Sequence, residues 1–464
     1  MRFSAYEDYQ DTDFDWMGSI PSSWAIKRVG HHVEFISGFA FKSEFFSFDK
    51  GIKIVRGDNV TEGMLRWGDK TRYWPEVTKD LEQYLLKNND ILIGMDGSKV
   101  GKNYTVVRES DLPLLLVQRV ARLRTDENLD YRFLSYLIGS ELFRIWVALV
   151  KTDPAIPHIS PADIRGFPLP YPSSVEQEKI ANFLDHETAK IDTLIEKQQQ
   201  LIKLLKEKRQ AVISHAVTKG ISSLEGAQCP MRDSGVEWLG EVPEHWDVAK
   251  VKYFASIQGG YAFSSDSFQE SGVQLLRIGN VYLNRLALER QPTFVDESFV
   301  KSHRDFSVRR GDILMSLTGT LGKTDYGFAV HVDEDGPFML NQRVAKITPV
   351  ESKIAPEYLI YAIRSESYLK QLYSLPSGTK QANLSNDDVI NIPIVVPPTM
   401  EEQLLVAQYI SDNLHKYNKL IKKSEAAIEI IQERRTALIS AAVTGKIDVR
   451  SWVAPEPSGN QKRK

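Results

Sequence analysis

The sequence predicts an α/β (α+β) protein with a pseudo-two-fold internal repeat: two similar globular domains joined by two long antiparallel coiled-coil helices. Three observations lead to this fold class. Motifs recur through the whole chain at a near-constant offset, which indicates a duplication. Short strand-like runs with glycine turns fill the first part of each copy. A long stretch without proline or glycine then follows in each copy, as expected of a long helix.

The repeat is clearest where the predicted helices end. The segments EKRQAVISHAVTKGI (207–221) and ERRTALISAAVTGKI (433–447) are identical at nine of fifteen positions. Further matches are WMGSIPSSW (16–24) with WLGEVPEHW (238–246), and SGFAF (37–41) with GGYAF (259–263). The offsets between copies run from 221 to 226 residues. A unit of this length is long enough to have its own core.

The pattern divides the chain into five segments. The domains and helices alternate, and the second domain begins directly after the first helix. The predicted segments are a first globular domain (1–173), a first long helix (174–220), a second globular domain (221–398), a second long helix (399–446) and a flexible tail (447–464).

Apolar residues recur every seven positions along both predicted helices, which indicates a coiled-coil seam with a polar layer at its centre. The predicted seam residues are Leu184, Ile191, Gln198, Leu205 and Val212 in the first helix, and Ile410, Tyr417, Ser424, Ile431 and Leu438 in the second. An alternative is that each helix packs only on its own domain. A helix of about 45 residues is about 65–70 Å long, close to two turns of B-DNA.

Composition and charge narrow the function classes. The net charge is −3, so the chain has no overall basic field, although a local basic face would still bind nucleic acid. Cys229 is the only cysteine, which excludes an intramolecular disulfide and fits a cytoplasmic protein. The N-terminal residues have no apolar signal-peptide core, and no apolar run has transmembrane length, so we expect no membrane partner.

The order of these motifs resembles that of the specificity subunits of type I restriction–modification systems. The resemblance rests on SIPSSW and EVPEHW, SGFAF and GGYAF, QRVARL and NQRVAKI, HISPADIRGFPLP and NLSNDDVINIPIVVPP, VEQEKIANFLD and EEQLLVAQYI, and the two helix ends. It covers almost the whole chain up to about residue 450.

The resemblance implies a sequence-specific DNA-binding subunit that is not itself an enzyme. Each target recognition domain would read one half of an asymmetric bipartite site in double-stranded DNA. The helices would set the spacing and dock the modification (methyltransferase) subunits, two of them. S-adenosylmethionine would be bound by those partners, with no cofactor in this chain, and restriction (motor-nuclease) subunits would complete the assembly.

The residues themselves give no sign of catalysis. GSKVGK (97–102) and GTLGKT (319–324) lack the first glycine that a P-loop requires. The spacing of the histidines is not typical of a metal site. Ser214 and His215 are neighbours on a predicted helix and point apart, so they do not form a nucleophile–base pair. We therefore predict no catalytic residues and no metal.

The candidate DNA-binding residues are polar and basic side chains, which recognise base edges or phosphates. In the first domain they are Arg56, Asn59, Ser98, Lys99, Lys102, Gln118, Arg119 and Lys151; in the second they are Arg277, Asn280, Thr318, Thr320, Lys323, Gln342, Arg343, Thr379 and Lys380. Residues shared by both copies are also candidates for scaffold roles, because domains that recognise different half-sites should differ where they contact bases.

Two other functions are compatible with the sequence alone. The chain could be a DNA methyltransferase or nuclease in its own right. It could also be a scaffold whose coiled coil holds two protein-binding domains.

Overall fold

The computed structural model describes residues 4–152, 157–221, 229–375 and 380–455. The chain forms two compact units. The first contains residues 1–198 and 426–464, and the second contains residues 199–425. Each unit therefore includes one globular domain, the beginning of one long helix and the end of the other.

The first unit contains thirteen strands among its described residues. They are β1 (Tyr9–Asp11), β2 (Ser19–Pro21), β3 (Ala25–Arg28), β4 (Val33–Ser37), β5 (Ile52–Val55), β6 (Val60–Thr61), β7 (Met64–Leu65), β8 (Tyr73–Trp74), β9 (Ile91–Gly94), β10 (Tyr104–Val106), β11 (Leu114–Leu116), β12 (Val120–Thr125) and β13 (Pro168–Tyr171). Its helices are α1 (Tyr131–Gly139), α2 (Glu141–Val150), α3 (Pro161–Gly166) and the first part of α4 (Ser174–Lys219).

Strand β12 is central to the first unit. Its sheet has the order β10-β9-β12-β4, and β12 pairs antiparallel with both neighbours. Because side chains alternate along a strand, Ala121 and Leu123 face the core formed with Phe133 of α1, while Val120 belongs to a second cluster with Leu92. A smaller sheet, β11-β5-β8, contains a parallel pair, β5 with β11.

The second unit repeats this arrangement. Its strands are β14 (Met231–Asp233), β15 (Glu241–Pro243), β16 (Asp247–Lys250), β17 (Ala255–Gly259), β18 (Val273–Leu276), β19 (Val281–Tyr282), β20 (Arg285–Leu286), β21 (Phe294–Val295), β22 (Ser307–Val308), β23 (Ile313–Ser316), β24 (Thr318–Thr320), β25 (Ala329–His331), β26 (Phe338–Leu340), β27 (Val344–Pro349), β28 (Gln381–Asn383) and β29 (Pro393–Val396). Its helices are α5 (Ser298–Ser302), α6 (Pro356–Ala362), α7 (Glu366–Ser374), α8 (Asn386–Ile390), the first part of α9 (Met400–Val443) and the last part of α4.

The sheets of the second unit confirm the duplicated fold. The main sheet has the order β17-β27-β23-β25, with β27 in the place of β12. The parallel pair recurs as β18 with β26. The predicted fold class of two similar mixed domains with two long helices is therefore correct.

The long helices run antiparallel within each unit. In the first unit, Ile180 and Leu184 of α4 share a core with Ile439 and Val443 of α9, and the guanidinium of Arg435 contacts Asp192 further along α4. Residues later in α4 therefore contact residues earlier in α9, which is an antiparallel arrangement. In the second unit, the corresponding shared core contains Ile213, Val217, Ile410 and Leu414.

The predicted seam is the shielded face of both helices. Leu184, Ile191, Val212, Ile410 and Ser424 are buried, and the other predicted seam residues, Gln198, Leu205, Tyr417, Ile431 and Leu438, are partly buried. The alternative in which each helix packs only on its own domain is wrong, because the end of each helix lies in the core of the unit that contains the other domain.

A buried glutamine attaches the beginning of each helix to its domain. The side-chain oxygen of Gln177 accepts a hydrogen bond from the Asp130 main chain at 2.9 Å, and its amide donates to the Pro172 carbonyl at 3.0 Å. Gln403 makes the same pair of contacts with the main chain of Ala355 and Pro397, at 2.7 and 3.0 Å. The glutamine in each of the matched segments VEQEKI and EEQLLV is therefore structural.

The repeated tryptophans close each unit around the end of a helix. A Cβ built on Gly445, which has φ of +70°, would lie 2.4 Å from Pro21 and 3.2 Å from Trp24. Gly220, with φ of +75°, lies similarly against Trp246. The repeated helix-end segments therefore dock into the domain cores.

The apolar segment 133–150 of the first unit forms two helices: α1 and α2 are bent by 63° at Ser140, whose extended backbone precedes α2. The predicted flexible tail is ordered at its start, because Val449 is 1% exposed and Trp452 packs edge-on against Phe183 at 5.5 Å. Residues 456–464 lie outside the described part of the chain.

Among the described residues, no single helix has the length and apolar character to cross a membrane. The bent pair α1 and α2 passes that test only when its two helices are taken together. Their side chains Phe133, Leu137 and Phe143 are buried in the core of the first unit.

Candidate nucleic-acid interface

Both units carry an exposed arginine in the same turn. Gln118 and Arg119 precede β12, and Gln342 and Arg343 precede β27. All four residues are exposed, and both arginines have φ of 72°. This left-handed conformation is uncommon for residues other than glycine and often marks a functional position.

Main-chain hydrogen bonds hold the two turns identically. The Arg119 carbonyl accepts from the Met95 N–H at 2.9 Å, and the Arg343 carbonyl accepts from the Leu317 N–H at 2.9 Å. Met95 is therefore the counterpart of Leu317, and Asp96 is that of Thr318.

In the first unit the turn lies in an open cleft of about 710 Å³. The polar and aromatic residues that line this cleft are Phe41, Ser43, Glu44, Phe46, Phe48, Arg56, Asp58, Arg72, Asp96, Gln118 and Arg119. Cations and carboxylates alternate along it: Arg119 lies 3.6 Å from Asp96, and Arg56 lies 3.7 Å from Asp58. Carboxylates repel phosphate but accept hydrogen bonds from cytosine. A cleft lined by both arginines and carboxylates is therefore better suited to bind base edges than the phosphate backbone.

The corresponding cleft of the second unit is smaller, about 520 Å³, and has a different lining. It is lined by Ile278, Thr318, Gly319, Thr320, Arg343, Lys380 and Gln381, with no carboxylate among the described residues of the lining. The guanidinium of Arg343 donates to the Asn383 side chain at 3.2 Å. Equivalent positions thus present different chemistry in the two units.

Two candidate residues are structural instead. Asn59 and Asn280 are 5% and 1% exposed. The Asn59 side chain accepts from the main chain of Arg56 at 3.0 Å and donates to the Arg66 carbonyl at 3.0 Å, and Asn280 makes the same type of contacts. Asn59 and Asn280 are therefore not available to bases, and the prediction for them is wrong. Arg56 and Arg277, which begin these turns, remain partly exposed.

The two threonine candidates are also engaged within the fold. Thr318 is 6% exposed, and its hydroxyl donates to Asn383 at 3.2 Å. The main-chain N–H and hydroxyl of Thr320 both donate to Asp325, at 2.7 and 2.8 Å, and these bonds lower the pKa of that carboxyl. Both hydroxyls shape the cleft, and neither is a free donor.

The remaining candidates lie on exposed loops. Ser98, Lys99 and Lys102 are exposed between β9 and β10, Lys151 is exposed at the end of α2, and Lys323 is exposed between β24 and β25. Thr379 lies outside the described residues, and Lys380 beside it is exposed. These lysines can reach a phosphate, and their side chains form no hydrogen bond or ion pair with the described part of the chain.

The sequence pairing of Lys102 with Lys323 is not a structural equivalence. The Gly94 N–H bonds to the Asn103 carbonyl, and the Ser316 N–H bonds to the Phe328 carbonyl. The residue before Phe328 is a glycine, so the counterpart of Lys102 has no side chain. The loop of the second unit is longer and contains β24, which pairs with β28.

Two cleft residues were absent from the sequence candidates. The Arg72 guanidinium lies 4.3 Å from the ring centroid of Phe48, whose side chain is 73% exposed. They meet because β5 and β8 pair antiparallel, and Ser47 bridges to Tyr73. The aromatic run SEFFSF (43–48) in a polar loop is the sequence signal that could have identified Phe48.

The described residues contain no group of three or more His, Cys, Asp or Glu side chains that could hold a metal ion.

A family model for the type I restriction modification DNA specificity domain matches residues 21–204 and 243–430, once in each copy of the repeat. The chain belongs to this family. The resemblance predicted from the motifs is confirmed.

Relatives match nearly the whole chain. The type I restriction enzyme MjaVIII specificity subunit of Methanocaldococcus jannaschii is 26% identical over 96% of this chain and 98% of its own length. The type I restriction enzyme EcoBI specificity subunit of Escherichia coli is 24% identical over 95% of this chain and 89% of its own. A chain from a structural study of type I R-M complex assembly and conformational transition has the same fold, with a TM-score of 0.62, 14% identity and coverage of 92% of this chain and 99% of that one.

Proposed function

We propose that this chain is the DNA specificity subunit of a type I restriction–modification complex. The observation that carries the proposal is the pair of equivalent turns, each of which places an exposed arginine with φ of 72° in a solvent-open cleft. One such turn in each unit gives the chain two recognition surfaces of common design. Membership of the DNA specificity domain family supports the same function.

Each cleft recognises one half of a bipartite site in double-stranded DNA. Arginine and glutamine side chains can donate to guanine and adenine in the major groove. The half-sites differ, because Asp96 in one cleft is replaced by Thr318 in the other and the second lining has Lys380 and Gln381. The exposed lysines of the loops contact phosphates and position the domains.

The helices set the gap between the half-sites. α4 has 46 residues and α9 has 44, which corresponds to about 66–69 Å of helix each. Insertion of one helical turn into both helices should change the unspecified gap and leave both half-sites unaltered. A changed half-site with an unchanged gap would contradict this role.

The same helices dock the modification subunits through apolar side chains that their seam does not cover. Leu194, Leu201 and Leu204 of α4 are 49%, 42% and 60% exposed. On α9, Leu420 and Ile430 occupy the positions equivalent to Leu194 and Leu204 and are 46% and 65% exposed. Repeated exposed apolar residues on a helix are typical of a protein interface. The matching positions support two modification subunits.

The chain itself catalyses no reaction in this proposal. The modification subunits bind S-adenosylmethionine and methylate DNA, and motor-nuclease subunits add cleavage. All of these act on cellular DNA in the cytoplasm, and none requires a cofactor in this chain.

The proposal is tested by selection from randomised duplex DNA with the complex of this chain and its modification subunit. Enrichment of a bipartite motif is expected. Arg119→Ala should relax one half of the motif and Arg343→Ala the other. Enrichment of no sequence would overturn the proposed function, whereas loss of both halves in either variant would overturn the assignment of one half to each domain.

A further inference from the structure

The aromatic run 43–48 is anchored to the first unit by one phenylalanine and exposes the others. Phe46 packs against the cluster around Phe41 and Ile54, whereas Phe45 and Phe48 are 56% and 73% exposed. Phe46, Phe48 and Arg119 line the same cleft. Exposed apolar side chains that are grouped together and rimmed by polar residues are typical of an interaction site.

The Arg72 guanidinium covers one face of the Phe48 ring. The guanidinium carbon lies 4.3 Å from the ring centroid. The guanidinium also donates hydrogen bonds to the main-chain carbonyls of Asp69 and Thr71, at 3.0 and 2.8 Å. An arginine fixed in this way stacks on the ring and limits its rotation. Despite this contact, the Phe48 side chain remains 73% exposed.

The second unit lacks this pair at the equivalent positions. The bridge Ser47 to Tyr73 corresponds to the bridge Gln269 to Phe294, so Glu270 takes the place of Phe48. By the same register, Thr293 takes the place of Arg72, and its hydroxyl accepts from Arg277 at 3.3 Å. The partly buried anchor is kept, since Phe268 packs in the second unit as Phe46 does in the first.

Within this run, the partly buried Phe46 therefore has an aromatic counterpart in the second unit, whereas the exposed Phe48 does not. This is the pattern expected for residues that distinguish one half-site from the other. In the major groove, the 5-methyl group of thymine is the apolar feature on a base edge, and phenylalanine is one of the side chains that contact it.

We propose that Phe48, stacked on Arg72, contacts a thymine methyl group and gives the first recognition domain a thymine preference that the second domain lacks. The inference rests on the proposed DNA-specificity function. Arg72 is a positioning residue, because it acts by holding the ring of Phe48.

The test replaces each thymine of the bipartite site in turn by uracil, which removes only the methyl group. Affinity is measured at one fixed salt concentration for the complex of this chain with its modification subunit. One replacement should weaken binding of the wild-type complex by about threefold to fivefold, the value expected for one buried methyl group. Phe48→Ala should weaken binding to the thymine site by a similar factor and make the complex indifferent to that replacement.

Phe48→Leu keeps an apolar side chain and should retain part of the discrimination. Glu270→Ala, at the equivalent position of the second unit, is the matched control and should leave every thymine-to-uracil ratio unchanged. If the affinity losses caused by Phe48→Ala and by the uracil replacement multiplied when the two were combined, the methyl contact would be overturned. It would also be overturned if Phe48→Ala weakened binding to all DNA sequences equally. Absence of any sequence preference in the wild-type complex would instead overturn the proposed function.

Discussion

Arg435 of α9 donates its Nε–H to Asp192 of α4 at 2.9 Å, and its Nη2 lies 3.4 Å from the same carboxylate. The repeat places Arg209 and Asn418 at the equivalent positions of the second unit. There the Arg209 Nε is buried without a hydrogen-bond partner, and burial lowers the pKa of the guanidinium. The two units therefore share the arginine but not its carboxylate.

Asn418→Asp should stabilise the second unit, because it supplies the Arg209 guanidinium with the acceptor that Arg435 already has. We expect the free energy of unfolding to rise by about 0.5–1.5 kcal/mol, and Asp192→Ala to lower it by about 0.5–1 kcal/mol. Urea denaturation followed by circular dichroism measures both. Gln199→Glu is the control, because it makes the same change of charge at an exposed site of α4. If Asn418→Asp and Gln199→Glu changed the free energy of unfolding equally, the proposed contact between residue 418 and Arg209 would be contradicted.

Gly445→Ala should destabilise the first unit by about 2–4 kcal/mol. The substitution combines an unfavourable positive φ with a clash against the Pro21 ring at 2.4 Å. Gly235, with φ of +71° and no atom within 4 Å of its Cβ position, is the control for φ alone. The temperature of thermal unfolding of Gly235→Ala should lie between those of the wild type and Gly445→Ala. Equal unfolding temperatures for the two variants would contradict the docking of the helix end against Pro21.

Gln177→Leu and Gln403→Leu should each lower the free energy of unfolding by about 2–4 kcal/mol. Each substitution leaves buried main-chain groups without the hydrogen bonds that the amide supplies. Urea denaturation measures the loss, and limited proteolysis should become faster where the helix begins. Gln199→Leu, at an exposed position of α4, should change neither quantity, and a similar loss in that variant would contradict the assigned role of the buried glutamines.

Glu34→Gln should remove part of the acid sensitivity of the first unit. The Arg122 guanidinium, 2.6 Å away, lowers the pKa of the Glu34 carboxyl in the folded state. The stabilisation is complete above the unfolded pKa of about 4.5 and is lost as the pH falls through the lower folded value. The wild type should therefore be more stable than Glu34→Gln at pH 7, and the difference should shrink towards pH 3. The exposed Glu109→Gln is the control, and a difference that is independent of pH would contradict this origin.

Much of the architecture could be predicted from the sequence, because it depends on local rules. The absence of proline and glycine from 174–219 and from 400–443 predicts the two long helices, and the predicted bounds lie within three residues of those observed. The seven-residue pattern predicts their shielded face, and the internal repeat predicts two similar domains. Helix ends, glycine turns and repeats are all encoded by neighbouring residues.

The cleft was less predictable, because its residues meet only through long-range pairing. Phe48 and Arg72 are brought together by β5 and β8, and neither stands in a repeated motif. Asn59 has the composition of a base-contacting residue but is buried by its own turn. Among the residues shared by the two copies, Asn59 and Asn280 are buried in their own turns, whereas Gln118, Arg119, Gln342 and Arg343 are exposed.

The central claim is that each domain recognises one half of a bipartite site. It is tested most directly by base-resolution mapping of adenine methylation in cells that express this chain with its modification subunit. The expected result is one asymmetric motif of two unlike half-sites with a fixed gap, in which exchange of residues 1–173 for those of a relative alters one half only. A continuous motif, or an exchange that alters both halves, would contradict the account.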